Sequence, residues 1–246
     1  MLYIISGVRS LRDSVYVWLM GGLGNQLFQY NYAAFLQHNG YRVKIVDNLI
    51  RETWFTKVIN WNIHEYPDIS FLSQSFEVVK FNSIIPFIAK ARLRPDFATY
   101  HGVANIPEVP SLHNFGYFQN KDFLLNKHIS LKEFPHSRDD IVCHLRLSDS
   151  EKISQTIIFL EENLKHFTSS VDTFTVFTDS PFEAERVMKN LGIINYKFEN
   201  LPVVDCFLRM ISCRLFIGSD STLSLWASLF RLDDQLTLLP SSVLPD

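Results

Sequence analysis

The sequence contains few cysteines, no large excess of either charge and no apolar run long enough to cross a membrane. Its three cysteines lack CxxC spacing, so it predicts neither a disulfide framework nor a zinc site, and a reducing cytoplasm suits it best. A net charge of −3 and a pI near 6.2 argue against nucleic acid as a partner. The apolar segment 1–8 is short and lacks a small-residue cleavage site, so no signal peptide is predicted.

The chain is long enough for two small α/β domains or one large domain, and its 47% of hydrophobic residues can fill the core. Its many aromatic residues either belong to that core or line a sugar-binding cleft, and we assign most of them to the core. A candidate boundary lies at 133–140, where an irregular, proline-interrupted segment gives way to a regular pattern. We therefore expect domains at 1–135 and 136–246.

A glycine-rich turn follows the first predicted strand, 15–20. Gly21, Gly22 and Gly24 permit a positive φ and expose main-chain N–H groups at the start of a helix predicted at 26–38. Those donors and the helix dipole favour a phosphate group. The alternative is an ordinary tight turn between a strand and a helix.

The same turn has part of a dinucleotide-binding fingerprint. Gly22 and Gly24 match its first two glycines, but Leu27 stands where the third would be. A second predicted strand, 41–46, is followed by Asp47, about 20 positions after the glycines, where NAD enzymes bind the ribose. From these residues alone, a nicotinamide-dependent oxidoreductase stays an alternative.

The second half alternates between predicted strands and helices, which indicates a parallel sheet covered on both faces. The predicted strands span 141–145, 173–177, 195–198, 215–218 and 235–239. The predicted helices span 153–167, 181–190 and 222–230, with one more begun by Asp205. Ser180 and Glu183 form a predicted capping box for the helix at 181–190. In the irregular segment we predict only a helix at 84–94 and a strand at 112–118.

Sheets of this kind bind ligands beyond the carboxyl ends of their strands, so polar residues that follow the strands are candidates for a site. These residues are His144, Arg146, Asp149, Asp179, Ser221 and Thr222. The Arg146 guanidinium suits bidentate phosphate binding, and the alternative is a structural ion pair with Asp149 or Asp179. Ser221 and Thr222 either bind phosphate at a helix N-terminus or cap that helix.

Two further interpretations stay open at this level. His144 is more often a core histidine with satisfied hydrogen bonds than a base. Asp205 is either an N-cap or a carboxylate that accepts the two N–H groups of a guanine edge.

The glycine-rich turn resembles the N-terminal signature of the glycosyltransferase family 11 α-1,2-fucosyltransferases. The matching run is Gly21-Gly-Leu-Gly-Asn-Gln-Leu-Phe-Gln-Tyr30. Val142–Asp149 and Phe177–Ser180 resemble that family's His-x-Arg-Arg-x-Asp motif and Phe-Ser-Asp-Asp segment. Asp205–Trp226 resembles its closing Asn-Ser-Thr-Phe-Ser-Trp-Trp block. The resemblance implies GDP-fucose as the ligand and excludes the nicotinamide alternative.

The resemblance implies a GT-B-like α/β fold, in which two Rossmann-type, doubly wound domains face a cleft. The N-terminal domain would take the acceptor side and the C-terminal domain would bind GDP-fucose. We expect inverting transfer of L-fucose from GDP-β-L-fucose, with no metal or cofactor, to O2 of a galactose-terminated glycan or lipid-linked oligosaccharide. O-antigen or another surface polysaccharide would be the product. A peripheral contact with the inner face of the bacterial inner membrane stays open for this cytoplasmic protein.

The resemblance also assigns roles by position. Arg146 matches the arginine that grips the β-phosphate, and Asn25, with Gly22 and Gly24, lies where the first-domain turn approaches that phosphate. Asp205 matches an acidic position that binds guanine in related fucosyltransferases. The other matched donor-binding positions are His144, Asp179, Ser221 and Thr222.

Two departures from the family pattern bear on activity. Leu147 replaces the second arginine of the motif, so we expect weaker donor binding. The loop after Asp149 is shorter than the family's, which leaves the acceptor open. Asp149, Asp179 and His144 are the candidate bases, and we place Asp149 in the catalytic set with Arg146 and Asn25. The alternatives are a catalytically impaired GDP-sugar-binding scaffold and a fucosyltransferase of another linkage.

Overall fold

The computed structural model describes residues 14–47, 68–80, 97–100, 110–133, 140–148, 150–164 and 173–243. The chain divides into two compact units, an N-terminal unit of Met1–Lys132 with Pro245–Asp246 and a C-terminal unit of Glu133–Leu244. Each unit contains a five-stranded sheet whose described strands run parallel, which confirms the predicted Rossmann-like α/β class. The helix predicted at 84–94 lies outside the described residues.

The N-terminal unit is built around its first strand. Its elements are β1 (Ser14–Trp18), α1 (Leu23–His38), β2 (Arg42–Asp47), β3 (Glu77–Lys80), β4 (Phe97–Tyr100), β5 (His113–Gly116) and α2 (Lys121–Leu125). The strands pair in the order β3-β2-β1-β5-β4. Strands β2 and β3 therefore lie on one side of β1, and β5 and β4 lie on the other. The position between β1 and β5 is the topological switch point of the sheet, and the glycine-rich turn follows β1 there.

Helix α1 is buried on nearly every side, so its apolar residues form no narrow stripe. Leu27, Tyr32 and Leu36 are fully buried. The helix begins at Leu23, three residues before the predicted start, because the N–H of Gln26 already donates to the C=O of Gly22 at 3.0 Å. The glycine-rich turn and the first turn of the helix are therefore one continuous structure.

The C-terminal unit alternates strictly between strands and helices. Its elements are β6 (Ile141–Leu145), α3 (Ser150–Leu164), β7 (Phe174–Thr178), α4 (Pro181–Asn190), β8 (Tyr196–Phe198), α5 (Val203–Ser212), β9 (Leu215–Gly218), α6 (Thr222–Leu229), β10 (Leu236–Leu238) and a 3₁₀ turn (Ser241–Val243). The strand order β10-β9-β6-β7-β8 is that of a Rossmann-type sheet with its switch point between β6 and β9. Cys143, Val176 and Ile217 from its central strands are fully buried in one apolar core.

In two helices of this unit the N-terminal cap differs from the sequence prediction. Helix α4 begins at Pro181 as predicted, but the capping box is wrong, because the Ser180 side chain makes no capping hydrogen bond. Helix α5 begins at Val203 rather than at Asp205, with Pro202 as the N-cap residue. The fixed φ of proline suits a chain entering a helix, so the turn starts before the carboxylate is reached.

Candidate functional site

Three strands of the C-terminal unit end together at one side of the sheet, which we call the β6–β9 edge. The strand register pairs His144 with Gly218 and Leu145 with Thr178, so the segments that follow begin at a common level. The residues that follow the strands are Arg146–Ser148, Asp179 and Ser219–Thr222. Open α/β sheets bind ligands at such a switch point.

Arg146 combines a fixed main chain with an exposed side chain. Its N–H donates to the Oγ of the buried Ser219 at 3.1 Å. Within the part of the chain that the structure describes, its guanidinium forms no ion pair, so the alternative of a bond to Asp179 is not realised. Asp149, the other alternative partner, lies outside the described residues. An arginine held in this way can present its fork to an anion.

The loop that carries Arg146 is anchored by Asp179. One carboxylate oxygen accepts the N–H of Leu147 at 2.8 Å, and the other accepts the hydroxyl hydrogen bond of Ser148. The Leu147 side chain points the other way and is 2% exposed within the core of the unit. The motif position that is a second arginine in the family is therefore a core position here.

His144 is a neutral group at the end of β6. Its Nδ1 lies 2.8 Å from the Oγ of Ser224, and hydrogen bonding links the two side chains. Burial lowers the pKa of His144 to about 4, with Arg146 acting in the same direction and Asp179 opposing it. The imidazole is therefore uncharged near pH 7 and offers a polar contact rather than a positive charge.

Gly218 leaves room for this pair. A Cβ at Gly218 would lie 2.4 Å from Cδ2 of Leu239 and 2.9 Å from Cβ of Ser224, distances that real atoms do not adopt. The absence of a side chain thus lets α6 pack close to the end of β9. Ser224 can then reach His144.

The start of α6 decides one of the two interpretations of its hydroxyl residues. Ser221 is 6% exposed and is the N-cap, since its Oγ accepts the N–H of Leu223 at 3.2 Å. Thr222 is the first residue of the helix and is half-buried. The N-cap alternative is confirmed for Ser221, and phosphate binding by the pair stays a prediction.

Asp205 is the third residue of α5 and is exposed. The N-cap alternative for it is wrong, because Pro202 occupies that position. A carboxylate in the first turn interacts favourably with the helix dipole. Guanine binding by this exposed carboxylate stays a prediction.

The glycine-rich turn of the N-terminal unit uses its glycines differently. Gly21 has φ +75°, the left-handed region that favours glycine, and Gly22 is the extended N-cap of α1 at φ −75°. No described atom lies within 4 Å of the position that a Cβ would take on Gly22. Gly24 is buried inside the first turn of the helix. The half-buried Asn25 follows, and its Oδ1 accepts a hydrogen bond from Nε2 of Gln119 at 3.0 Å.

Two buried glutamines, Gln26 and Gln29, stabilise this turn through hydrogen bonds to the main chain, and the sequence analysis did not identify them. Nε2 of Gln26 donates to the C=O of Gly21 at 2.8 Å. Gln29 accepts the N–H of Met20 at 2.9 Å and donates to the C=O of Gly116 at 3.0 Å. Both side chains are fully buried. Their three-residue spacing, which puts both on one side of the helix directly after the turn, is the signal that would have marked them as turn supports.

The structure thus groups the predicted site residues by unit. His144, Arg146, Asp179 and the start of α6 gather at the β6–β9 edge, while Gly22, Gly24 and Asn25 form the turn after β1.

Among the described residues, no group of three or more histidine, cysteine or acidic side chains has the arrangement of a metal site. The described helices include none long and apolar enough to span a membrane.

The fold is similar to those of solved glycosyltransferase structures. The crystal structure of POFUT1 in complex with GDP has a TM-score of 0.54 at 11% identity, covering 95% of this chain and 100% of that chain. POFUT1 in complex with GDP-fucose has a TM-score of 0.50 at 10% identity, covering 95% and 99%. NodZ α-1,6-fucosyltransferase soaked with GDP-fucose has a TM-score of 0.45 at 14% identity, covering 91% and 96%.

The POFUT1 structures and the two parallel sheets give this chain the α/β fold of the GT-B glycosyltransferases. No family model and no curated protein matches the sequence.

Proposed function

We propose that this protein is an inverting, metal-independent fucosyltransferase that transfers L-fucose from GDP-β-L-fucose to a galactoside hydroxyl in α-1,2 linkage. The motifs that resemble glycosyltransferase family 11 support this proposal. The fold supports it too, since it is similar to that of POFUT1, which binds GDP and GDP-fucose in its crystal structures.

The observation that carries the proposal is the placement of Arg146. It stands at the switch point of a Rossmann-type sheet, its N–H is fixed by Ser219, and the next residue is fixed by Asp179. Its exposed guanidinium has the geometry for two parallel hydrogen bonds to a phosphate. We assign the β-phosphate of the donor to this position.

The chemistry of the transfer explains why a fixed cation is useful there. The bond between C1 of fucose and the β-phosphate oxygen breaks, the acceptor oxygen bonds to C1 from the opposite face, and the hydroxyl proton passes to a base. Negative charge grows on the departing diphosphate. A guanidinium that is already in place stabilises this charge most in the transition state.

Other residues complete the proposed donor site. The first turn of α6, with Thr222, would offer N–H and hydroxyl donors to the diphosphate, and Asp205 would accept the guanine N–H groups. His144 would contact the donor as a neutral group. Asn25, in the glycine-rich turn, is proposed to contact the donor diphosphate, and Asp149 is the proposed base.

The acceptor would be a galactose-terminated glycan or a lipid-linked oligosaccharide in O-antigen or other surface polysaccharide synthesis. We propose a cytoplasmic protein whose contact with the inner membrane, if it has one, is peripheral.

The test is incubation of the full chain with GDP-fucose and a panel of galactosides that includes lactose, with and without EDTA. We expect release of GDP, a fucosylated product whose α-1,2 bond is identified by NMR, and the same rate in EDTA. Failure to bind GDP, together with no product from any galactoside, would overturn the proposal.

One observation favours a second candidate, a GDP-sugar-binding scaffold without transferase activity. Leu147 is buried in the core, so the β6–β9 edge lacks the second cation of the family motif. The same incubation separates the two candidates. Tight GDP binding measured by calorimetry, with no product, would favour the scaffold.

A further inference from the structure

Gln119 follows strand β5 and makes a direct hydrogen bond to the side chain of Asn25. We infer that Gln119 is a positioning residue that fixes which end of the Asn25 carboxamide faces the glycine-rich turn. This inference rests on the proposed function, in which Asn25 acts on the donor diphosphate. Gln119 belongs to none of the motifs that resemble the fucosyltransferase family.

The direction of the hydrogen bond sets the orientation. Nε2 of Gln119 can only donate, so the Asn25 atom that it meets at 3.0 Å is the acceptor, Oδ1. The amide nitrogen, Nδ2, then lies on the side of Gly21, where a Cβ would be 2.7 Å from it. Gly21 therefore has to be glycine for two reasons, its φ of +75° and the space that the Asn25 side chain occupies.

The segment that carries Gln119 is held firmly on both sides. The C=O of Gly116 accepts a hydrogen bond from Gln29 at 3.0 Å. Asn120 caps helix α2, since its Oδ1 accepts the N–H of Phe123 at 3.0 Å. Gln119 therefore reaches Asn25 from an anchored stretch of main chain.

The residue before Gln119 has a strained main chain. Phe118 has φ +51°, which bulky side chains rarely adopt, and its ring is buried and stacked on Tyr32 with centroids 4.1 Å apart. Such a conformation persists only where surrounding contacts determine it. The backbone thus adopts an unfavourable angle at the point that directs Gln119 toward Asn25.

The orientation matters because the two ends of a carboxamide have opposite polarity. The terminal torsion of asparagine is broad, so the orientation of the Asn25 carboxamide follows from the polarity of the groups that it meets. The ionised carboxylate of a Gln119→Glu variant only accepts hydrogen bonds, so it repels Oδ1 and attracts Nδ2. Rotation by half a turn would place Oδ1 where Nδ2 now lies. An oxygen there repels the growing negative charge of a departing diphosphate, whereas an N–H group stabilises it.

The first test is Gln119→Glu, which keeps the size of the side chain but removes the donor above the pKa of the introduced carboxyl. We expect kcat to fall about 100-fold at pH 7.5, as for loss of one preorganised donor, and the KM for GDP-fucose to change less than threefold. Gln37→Glu is the matched control, since Gln37 is on the same helix as Asn25 and its Nε2 donates to the C=O of Ser75 at 3.3 Å. We expect this control to behave as the wild type.

A pH profile distinguishes positioning from a general structural effect. The protonated carboxyl of Gln119→Glu can again donate to Oδ1 of Asn25. The ratio of variant to wild-type kcat should therefore rise about tenfold between pH 7 and pH 5, as expected for a carboxyl with a pKa near 4.3. A ratio that stays constant over this range would overturn the inference.

A second measurement does not depend on activity. The side-chain amide signals of Asn25 in a ¹⁵N NMR spectrum, identified by their loss in Asn25→Ala, should shift in Gln119→Glu and stay unchanged in Gln37→Glu. Unchanged signals in Gln119→Glu would overturn the inference even if the wild type proves active. If the signals shift but the wild type transfers no fucose, the proposed function fails and the orienting contact stands.

Discussion

The Asp179 carboxylate accepts the main-chain N–H of Leu147 at 2.8 Å. Its second oxygen accepts a hydrogen bond from the Ser148 hydroxyl, so both oxygens bind the loop that begins with Arg146. An acidic residue next to a predicted phosphate site would repel an anion if it faced the ligand directly. The contacts of Asp179 are instead those of a residue that holds the Arg146 loop in place.

This arrangement gives the first prediction, which compares Asp179→Asn with Asp179→Ala. The amide keeps an oxygen for the Leu147 N–H and a polar partner for Ser148, so we expect kcat/KM within about fivefold of the wild type. The alanine variant frees the loop, and we expect a loss of about 10- to 100-fold, as when a group that orients a catalytic side chain is removed. Equal losses in both variants would instead indicate that the negative charge itself takes part in the reaction.

The second prediction concerns the Arg146 side chain. We expect Arg146→Ala to lower kcat by about 10²- to 10³-fold, the effect of removing one preorganised donor to a developing charge. Because the side chain is exposed, the free energy of unfolding should change by less than about 0.5 kcal/mol. The kcat of Arg146→Lys should lie between those of the wild type and of Arg146→Ala, since lysine keeps the charge but loses the planar fork.

Arg186→Ala is the matched control for Arg146→Ala. Arg186 belongs to the same unit, and its Nη2 lies 2.9 Å from the carboxylate of Glu183 in an exposed ion pair. Its removal should leave both kcat and stability nearly unchanged. An Arg146→Ala variant that retains most of its kcat would exclude Arg146 from the donor site.

The third prediction separates two neighbouring glycines. Gly22 has the extended backbone of an N-cap, and serine is a good N-cap residue, so Gly22→Ser should keep or slightly raise the melting temperature. If a ligand approaches the turn there, the added side chain blocks it, and kcat/KM should fall at least about tenfold. Full activity of Gly22→Ser would show that no ligand approaches this position.

Gly21→Ala is the informative comparison for Gly22→Ser. Its φ of +75° and its contact with Asn25 predict a loss of stability of about 1–2 kcal/mol. Thermal unfolding of both variants, measured beside their transfer rates, therefore distinguishes a glycine needed for the fold from one needed for a ligand.

Much of the C-terminal unit could be predicted from the sequence, because its apolar periods and its proline and glycine signals agree. Helix α4, Pro181–Asn190, and strand β9, Leu215–Gly218, have the predicted bounds. The start of α5 could not be predicted, since Asp205 has the chemistry of an N-cap but Pro202 already occupies that position.

Strands β3 and β4 of the N-terminal unit could not be predicted, because they are short and carry no clear apolar pattern. Strand β3 has only four residues, and Val78 within it is 49% exposed while Glu77 pairs with Lys44 of β2. Its position is set by pairing with β2, a contact between distant parts of the chain. Local sequence does not report such a contact.

Two residues outside the predicted motifs show the same limit. Arg231 is buried and donates to the carbonyl oxygens of Cys213 at 2.9 Å and of Leu236 at 3.0 Å, with no signal in its neighbouring sequence. Phe118 carries no sequence mark of its positive φ. Motif resemblance identified Arg146, Asn25 and Asp179. The contacts of Asp179 with the Arg146 loop, and those of Ser219 with Arg146 and of Gln119 with Asn25, became visible only from the fold.

The fourth prediction is a pH dependence of stability that comes from His144. Burial lowers its pKa from 6.5 to about 4, so between these values the unfolded chain binds a proton that the folded protein does not. The free energy of unfolding therefore falls as the pH falls through this window. At about 1.4 kcal/mol per pH unit, the contribution of this group at pH 5 is a loss of about 2 kcal/mol relative to neutral pH.

His144→Asn isolates this contribution, because asparagine offers Ser224 a polar partner but does not titrate. Urea unfolding of the wild type and the variant at pH 7.5 and pH 5 should show the larger drop for the wild type. Other titrating groups are common to both proteins and cancel in the difference. Equal drops would mean that the folded and unfolded chains bind a proton at His144 alike, and the imidazole would then be available as a positive charge at the β6–β9 edge near pH 6.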